Sequence, residues 1–277
     1  MRVFAMKSAL YALSVSALAV SASQLVAPDD WMTDAPRMWR ALPRDQAVHR
    51  VAPNDPSLTY SPYNWAVTST SASSINGGAY FKVLVQSTFL NLTFDVSNMV
   101  SKPSQLYFQV DNGPLFSTPI AASISVDIPK NNTHGDVPWH TLTVIIKSTT
   151  ETANRWAATG QSTRVIFTGL IIDGDVSQFI PSTANMLIYG DSITEGVLTL
   201  GGSQSLDTDH NDAVLCWSSR LGTLLGAEVG VVGFGATGLS RGGSGGVPAL
   251  GVSWNQVRAF TATNTRAAPP FTQCPSL

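Results

Sequence analysis

The sequence predicts two domains: an all-β antiparallel sandwich or jelly roll, followed by an incomplete α/β domain built on a parallel sheet. Three observations carry this expectation. Between Val51 and Gln178 short segments rich in β-branched and aromatic residues alternate with turn clusters such as Asn76-Gly77-Gly78 and Asp111-Asn112-Gly113. From Met186 the pattern changes to strand, helix and strand, the signature of a parallel unit with a crossover. Charged residues make up only 12% of the 277 residues and apolar ones 44%, against about 25% charged in an average soluble domain. Ser, Thr and Gly take their place, a common composition of secreted β-rich proteins.

Taken in order, residues 1–23 read as a secretory signal peptide. Arg2 and Lys7 form its charged start, Ser8 to Val20 its apolar core, and Ser21-Ala22-Ser23 its cleavage site. The apolar run is too short to span a bilayer, so an extracellular protein is expected. Residues 24–50 read as a leader or linker, with Pro28, Pro36 and Pro43 and no sustained period.

Residues 51–180 form the expected sandwich. Tyr80–Val85, Leu90–Val96, Leu106–Val110, Ile124–Ile128, Thr141–Ile146 and Val165–Ile172 are its main strands. Tyr60, Tyr63, Trp65 and Trp139 are aromatics able to stack on a sugar or to fill the core or a domain seam. His134, Asp136 and His140 fit no closed zinc spacing and read as a turn and a strand edge.

Residues 181–277 form the second domain. Met186-Leu187-Ile188-Tyr189 is a buried strand, and Leu198 to Asp212 a polar loop. Ala213 to Leu225 carries a helical stripe at Val214, Trp217, Leu221, Leu224 and Leu225, with Gly226 as its stop. Glu228 to Val232 is the second strand. Arg258 to Leu277 reads as a polar tail with no strand–helix alternation. Two strands and one helix leave one sheet face and one edge expected to be open.

The chemistry centres on Gly190-Asp191-Ser192-Ile193-Thr194-Glu195-Gly196 at the end of the first strand. Carboxyl ends of parallel strands gather ligands, and a serine there presents its hydroxyl while its N–H remains free to donate. An Asp-Ser pair also serves as a plain helix cap. Gly190-Asp191-Ser192-Ile193 resembles the first signature block of the GDSL or SGNH family of esterases and lipases. The layout of a sandwich ahead of that block resembles the family-two carbohydrate esterases with their amino-terminal jelly roll. The resemblance implies an SGNH-type, flavodoxin-like α/β/α domain, Ser192 as nucleophile and Asp191 as support for its turn.

After the second strand, Gly233-Phe234-Gly235-Ala236-Thr237-Gly238 matches the dinucleotide fingerprint in letters. It follows the second strand rather than the first, and no Asp or Glu occurs after Glu228 to bind a ribose. It looks instead like the family's second block, which makes Gly238 an oxyanion-hole donor. The family's later blocks, Gly-x-Asn-Asp and Asp-x-x-His, have no counterpart, so the catalytic domain is expected to stop after its second strand and to be impaired. Asp207-Thr208-Asp209-His210 is Asp-x-x-His in letters, but it precedes the second strand. His210 is thus a candidate base out of its family position, while Asp209 and Asp212 serve as helix caps.

The resemblance implies a secreted serine esterase hydrolysing acyl, chiefly acetyl, esters of carbohydrate or another small ester. The alternative is an inactive glycan-binding module. Net charge is −2 without a basic run, so neither nucleic acid nor membrane is an expected partner. No cofactor or metal is implied. Cys216 and Cys274 make no framework, though they could pair in an oxidising compartment. Asn91-Leu92-Thr93 and Asn131-Asn132-Thr133 are glycan acceptor triplets.

Overall fold

The computed structural model describes residues 48–129, 137–157, 160–202, 208–254 and 256. The signal peptide, nearly all of the leader, the Asn131 triplet, His134, Asp136, Asp207, Cys274 and the tail lie outside the described residues. The described residues all fall within one compact unit.

Two antiparallel sheets pack face to face. The first has the order β3 (Ala66–Val67), β4 (Ala72–Ser74), β11 (Val165–Ile172), β6 (Leu90–Phe94), β9 (Ser123–Val126), with β1 (His49–Val51) also on β11. The second runs β12 (Asp175–Ser177), β5 (Tyr80–Gln86), β10 (His140–Ser148), β7 (Gln105–Val110), β8 (Phe116–Pro119), with β2 (Thr59–Tyr60) on β5. Alternation dictates the packing: along β5 Phe81, Val83 and Val85 are buried while Tyr80, Lys82, Leu84 and Gln86 face outward. Phe81 of one sheet meets Phe167 of the other with ring centroids 4.6 Å apart. Tyr60 and Trp65 join this aromatic cluster, and the Trp65 indole donates to the Tyr80 carbonyl at 3.0 Å. Both are therefore core residues, whereas Trp139 is 46% exposed. His140 is also structural. Its Nδ1 lies 2.7 Å from Asp111 Oδ2 and its Nε2 3.1 Å from the Pro129 carbonyl.

Beyond residue 184 the chain forms a two-stranded parallel ladder. β13 (Asn185–Gly190) pairs with β14 (Glu228–Gly233) in register from Asn185↔Glu228 to Gly190↔Gly233. Helix α1 (Ser192–Glu195) follows β13 directly, and α2 (Trp217–Leu225) lies in the crossover. The expected packing face of α2 is corrected by the structure. Its buried residues are Ser218 and Gly222, while Trp217, Leu225 and Leu224 are 46%, 57% and 82% exposed. The reason is close approach: a Cβ on Gly222 would stand 2.1 Å from Val229 Cγ2. A helix seated that tightly on a strand presents small residues, not leucines.

The expected open face is covered; of the two edges that of β14 is closed, while β13 pairs with no further strand among the described residues. The outer edge of β14 is closed by side chains of the sandwich: Asn64 bonds both backbone groups of Val231, and Val229 N–H donates to the Tyr80 hydroxyl at 3.1 Å. One face of the ladder, Met186, Ile188, Val229 and Val231, lies toward α2. The other face, Leu187, Tyr189, Val232 and Phe234, packs on Ile75 and Trp156 of the sandwich and on Val247.

Candidate functional site

The turn after β13 is held by its own acid. Asp191 has extended φ/ψ, and its carboxylate accepts the Ile193 N–H at 3.1 Å. Its carbonyl accepts from Thr194 at 3.1 Å and from Glu195 at 2.9 Å. Gly196 ends the helix at φ +88. Ser192 is thus the first helical residue, half-buried, where a backbone N–H has no partner inside the helix. Ile193 beside it is 72% exposed.

The glycine-rich loop after β14 starts at the neighbouring strand end. Phe234 N–H donates to the Gly190 carbonyl at 3.3 Å. A Cβ on Gly233 would lie 2.9 Å from Glu195 N and 3.2 Å from the Asp191 carbonyl. The ladder therefore brings Asp191, Ser192 and the loop 233–238 together. Ala236 in that loop holds φ +60, an unfavourable conformation for a side-chain-bearing residue. Strain of this kind clusters at functional sites.

Gly238 sits in that loop, but its N–H donates to the Arg241 carbonyl at 3.0 Å and its carbonyl accepts from Leu250 at 2.9 Å. The donor expected to face an oxyanion is engaged within its own loop. His210 lies on a segment folded back on the Ser192 turn: Asp212 N–H donates to the Gly196 carbonyl at 2.8 Å and Leu198 N–H to Asn211 Oδ1 at 2.9 Å. Its ring packs on Gly202, where a Cβ would lie 2.5 Å from Nδ1. Among the described residues no hydrogen bond joins His210 to Ser192.

A buried ionic cluster beneath the turn escaped the sequence reading. Arg155, from the loop between β10 and β11, is fully buried. Its guanidinium bonds the Glu195 carboxylate and donates to Ser244 Oγ at 2.7 Å and Thr149 Oγ1 at 3.2 Å. It lies over the Phe234 ring at 5.3 Å, and Glu151 stands 3.7 Å away. The second Glu195 oxygen accepts the Gly235 N–H at 2.8 Å. Burial pushes the Glu195 carboxyl above its ordinary range and Glu151 adds to this, while Arg155 and the Gly235 N–H oppose. A Cβ on Gly235 would fall 1.9 Å from Glu151 Oε1, so this glycine answers a side chain rather than a pyrophosphate. The available signal was Glu151 and Arg155 in a linker of a charge-poor chain. Their target, Glu195, is reached only in three dimensions.

Cys216 is buried, with Sγ 3.0 Å from the Ile193 carbonyl and 3.2 Å from that of Thr194. It thereby ties the start of α2 to the Ser192 turn.

No protein-family model matches the chain, and no curated relative matches it in sequence. Solved structures do. A family two carbohydrate esterase from Cellvibrio japonicus is 18% identical over 80% of this chain and 64% of that one, with a TM-score of 0.62. A family two carbohydrate esterase from Clostridium thermocellum in complex with cellohexaose is 17% identical over 75% of this chain and 61% of that one, TM-score 0.56. An acetyl xylan esterase from Butyrivibrio proteoclasticus is 13% identical over 76% and 56%, TM-score 0.57. The likeness is one of fold. The chain spans 56–64% of the length of these three structures.

Proposed function

We propose that this chain carries the nucleophile of a serine esterase acting on acyl, chiefly acetyl, esters of carbohydrate. In this reading the sandwich is a jelly roll, the parallel ladder belongs to an SGNH-type α/β/α layer, and the protein works outside the cell. The observation that carries it is the placing of Ser192. It opens a helix at a strand's carboxyl end, on a turn fixed by Asp191 and by the buried Glu195, beside a strained glycine-rich loop. The fold shared with carbohydrate esterases supports the substrate class.

Ser192 Oγ attacks the ester carbonyl and forms an acyl-enzyme, the sugar hydroxyl leaves with a proton, and water then cleaves the acyl-enzyme. The Ser192 N–H is the donor on hand for the oxyanion. Gly238 contributes only once its N–H leaves the Arg241 carbonyl. The Oγ proton needs a base, and His210 is the described histidine on the segment packed against the turn. The test is hydrolysis of 4-nitrophenyl acetate and of acetylated xylo-oligosaccharides by the wild-type chain and by Ser192→Ala. Any turnover of the wild-type chain should be abolished in the variant, with unchanged melting; equal, measurable turnover in both removes the assignment.

A second reading, glycan binding without hydrolysis, draws on the lack of a hydrogen bond between His210 and Ser192. Unacetylated oligosaccharide bound by a chain with no turnover on any acetyl ester would favour it.

A further inference from the structure

A cleft of about 800 Å³ opens between the outer face of the second sheet and helix α2, lined by neither Ser192 nor the loop 233–238. This is the size range of small-molecule sites. Its form follows from cross-strand rows on the outer sheet face. One row, Tyr80, Ile145 and Tyr107, makes the joint with the helical part: Tyr107 donates to Asp212 at 2.6 Å, and Tyr80 bonds Glu228. The next row, Lys82, Thr143 and Gln109, and then Thr141 with Asp111, continue beyond the joint as one wall. The facing wall is Ser219, Thr223 and Gly226 of the α2 segment, too small to reach across.

The chemistry of the walls selects a ligand class. Their charged groups are already hydrogen-bonded. Lys82 Nζ lies 2.9 Å from both oxygens of Glu228, and Asp111 is bonded by His140 at 2.7 Å and by the Thr141 N–H at 2.9 Å. The cation of the walls, Lys82, is thus paired with Glu228, and the Asp111 carboxylate already has two hydrogen-bond partners. What remains are hydroxyls and carboxamides beside apolar side chains such as Leu115, Ile145, Val214 and Val229. Among the described residues the hydroxyls of Thr141 and Thr143 and the Asn112 amide make no hydrogen bond, and Gln109 commits only its Nε2, to Gly113 at 2.8 Å. Phe179, half-buried and with Lys82 Nζ over its ring at 4.8 Å, supplies an aromatic flank. Many neutral donors and acceptors beside an aromatic ring suit a polyhydroxylated, uncharged molecule.

We propose that this cleft binds a neutral oligosaccharide, as a site separate from the one at Ser192. The inference shares only its ligand class with the proposed esterase function and does not need Ser192. The test is calorimetric titration of the wild-type chain and of Ser192→Ala with unacetylated xylo-, manno- and cello-oligosaccharides. Both should bind one of them with equal affinity. Thr223→Phe, on the exposed surface of α2, and Thr143→Phe, on the sheet, should each weaken binding at least about tenfold, the first without changing the melting temperature. Binding lost in Ser192→Ala would move the ligand to the nucleophile and overturn the proposal. So would binding unaffected by Thr223→Phe, no binding of any of the three sugars, or a tenfold preference for an acidic oligosaccharide. Equal, measurable esterase turnover in the wild-type chain and Ser192→Ala while the sugar still binds would end the hydrolytic reading and leave the cleft standing.

Discussion

Asn64 pairs with Val231 as a neighbouring strand would. Its Nδ2 donates to the Val231 carbonyl at 2.7 Å, and its Oδ1 accepts the Val231 N–H at 3.2 Å. A side chain from the sandwich thus closes the edge of β14, where a row of unpaired backbone groups would otherwise invite association. Asn64 is fully buried, and Ser61 Oγ donates to it at 3.1 Å.

Asn64→Ala should therefore cost about 2–4 kcal/mol, since it strands a buried N–H and a buried carbonyl together. Urea unfolding of the full chain measures this. A loss below about 0.5 kcal/mol would mean that water replaces the amide and that the edge needs no protein partner.

Arg155 should be the most sensitive position in the buried cluster. Arg155→Met leaves Glu195 and Glu151 without their counter-ion in a site closed to water, at an expected cost of about 3–5 kcal/mol. Arg155→Lys should recover little, because a single ammonium cannot serve Glu195, Ser244 and Thr149 at once. Adding Glu195→Gln to Arg155→Met should restore a good part of the loss by removing one stranded charge. If the double variant is no better than the single one, the cost lies in packing rather than charge.

What the sequence made legible, and what it did not, follows from the range of each signal. β5, β10 and β11 are long, alternating and β-branched, so their period places them within a residue or two. β1, β2, β3 and β12 are two or three residues long and carry no period of their own; they exist because a longer strand offers an edge. The Gly190–Gly196 turn is local, and its cap, helix start and glycine stop can be read in seven letters. The face of α2 could not be read that way. Its apolar residues suggest the buried side, yet the closeness of Val229 selects Ser218 and Gly222. Long-range pairs such as Arg155 with Glu195 and Asn64 with Val231 leave no mark on either partner's neighbourhood in the chain.

Glu228 should make stability depend on acid. Burial pushes its carboxyl up, but the Tyr80 hydroxyl, Lys82 and the Ser182 N–H outweigh this and hold it below the ordinary 4.5. A group depressed in the folded state contributes stability that is fully present above its unfolded value and is lost as pH falls through the folded one. This contribution should thus be complete above about pH 5 and decline below 4.5. Glu228→Gln should lower the melting temperature at neutral pH and make its fall between about pH 5 and pH 3 shallower. An unchanged acid profile in the variant would place the sensitivity elsewhere, for example at Asp173 or Asp111, also held low by hydrogen bonds.

The two halves of the molecule should depend on each other unequally. The sandwich closes its own core: its buried apolar cluster runs from Val51 to Ile172, with Val176 packed against it, and takes no residue from the parallel ladder. The ladder is different. On one of its faces Val232 and Phe234 complete their packing with Ile75 and Trp156, which the sandwich supplies. Its outer edge needs Asn64 and Tyr80, and its buried Glu195 needs Arg155. A fragment of residues 48–178 should then unfold cooperatively, losing Tyr80, Lys82 and Tyr107 to solvent, where polar ends are at no disadvantage. A fragment of residues 181–256 should lack a cooperative transition, because Glu195 is left without its ion partner and the Phe234 face without a cover. Circular dichroism melts of the two fragments decide the matter. A broad, non-cooperative melt of the first would show that the sandwich core is not self-sufficient, and a sharp one for the second would show that the ladder does not borrow its stability.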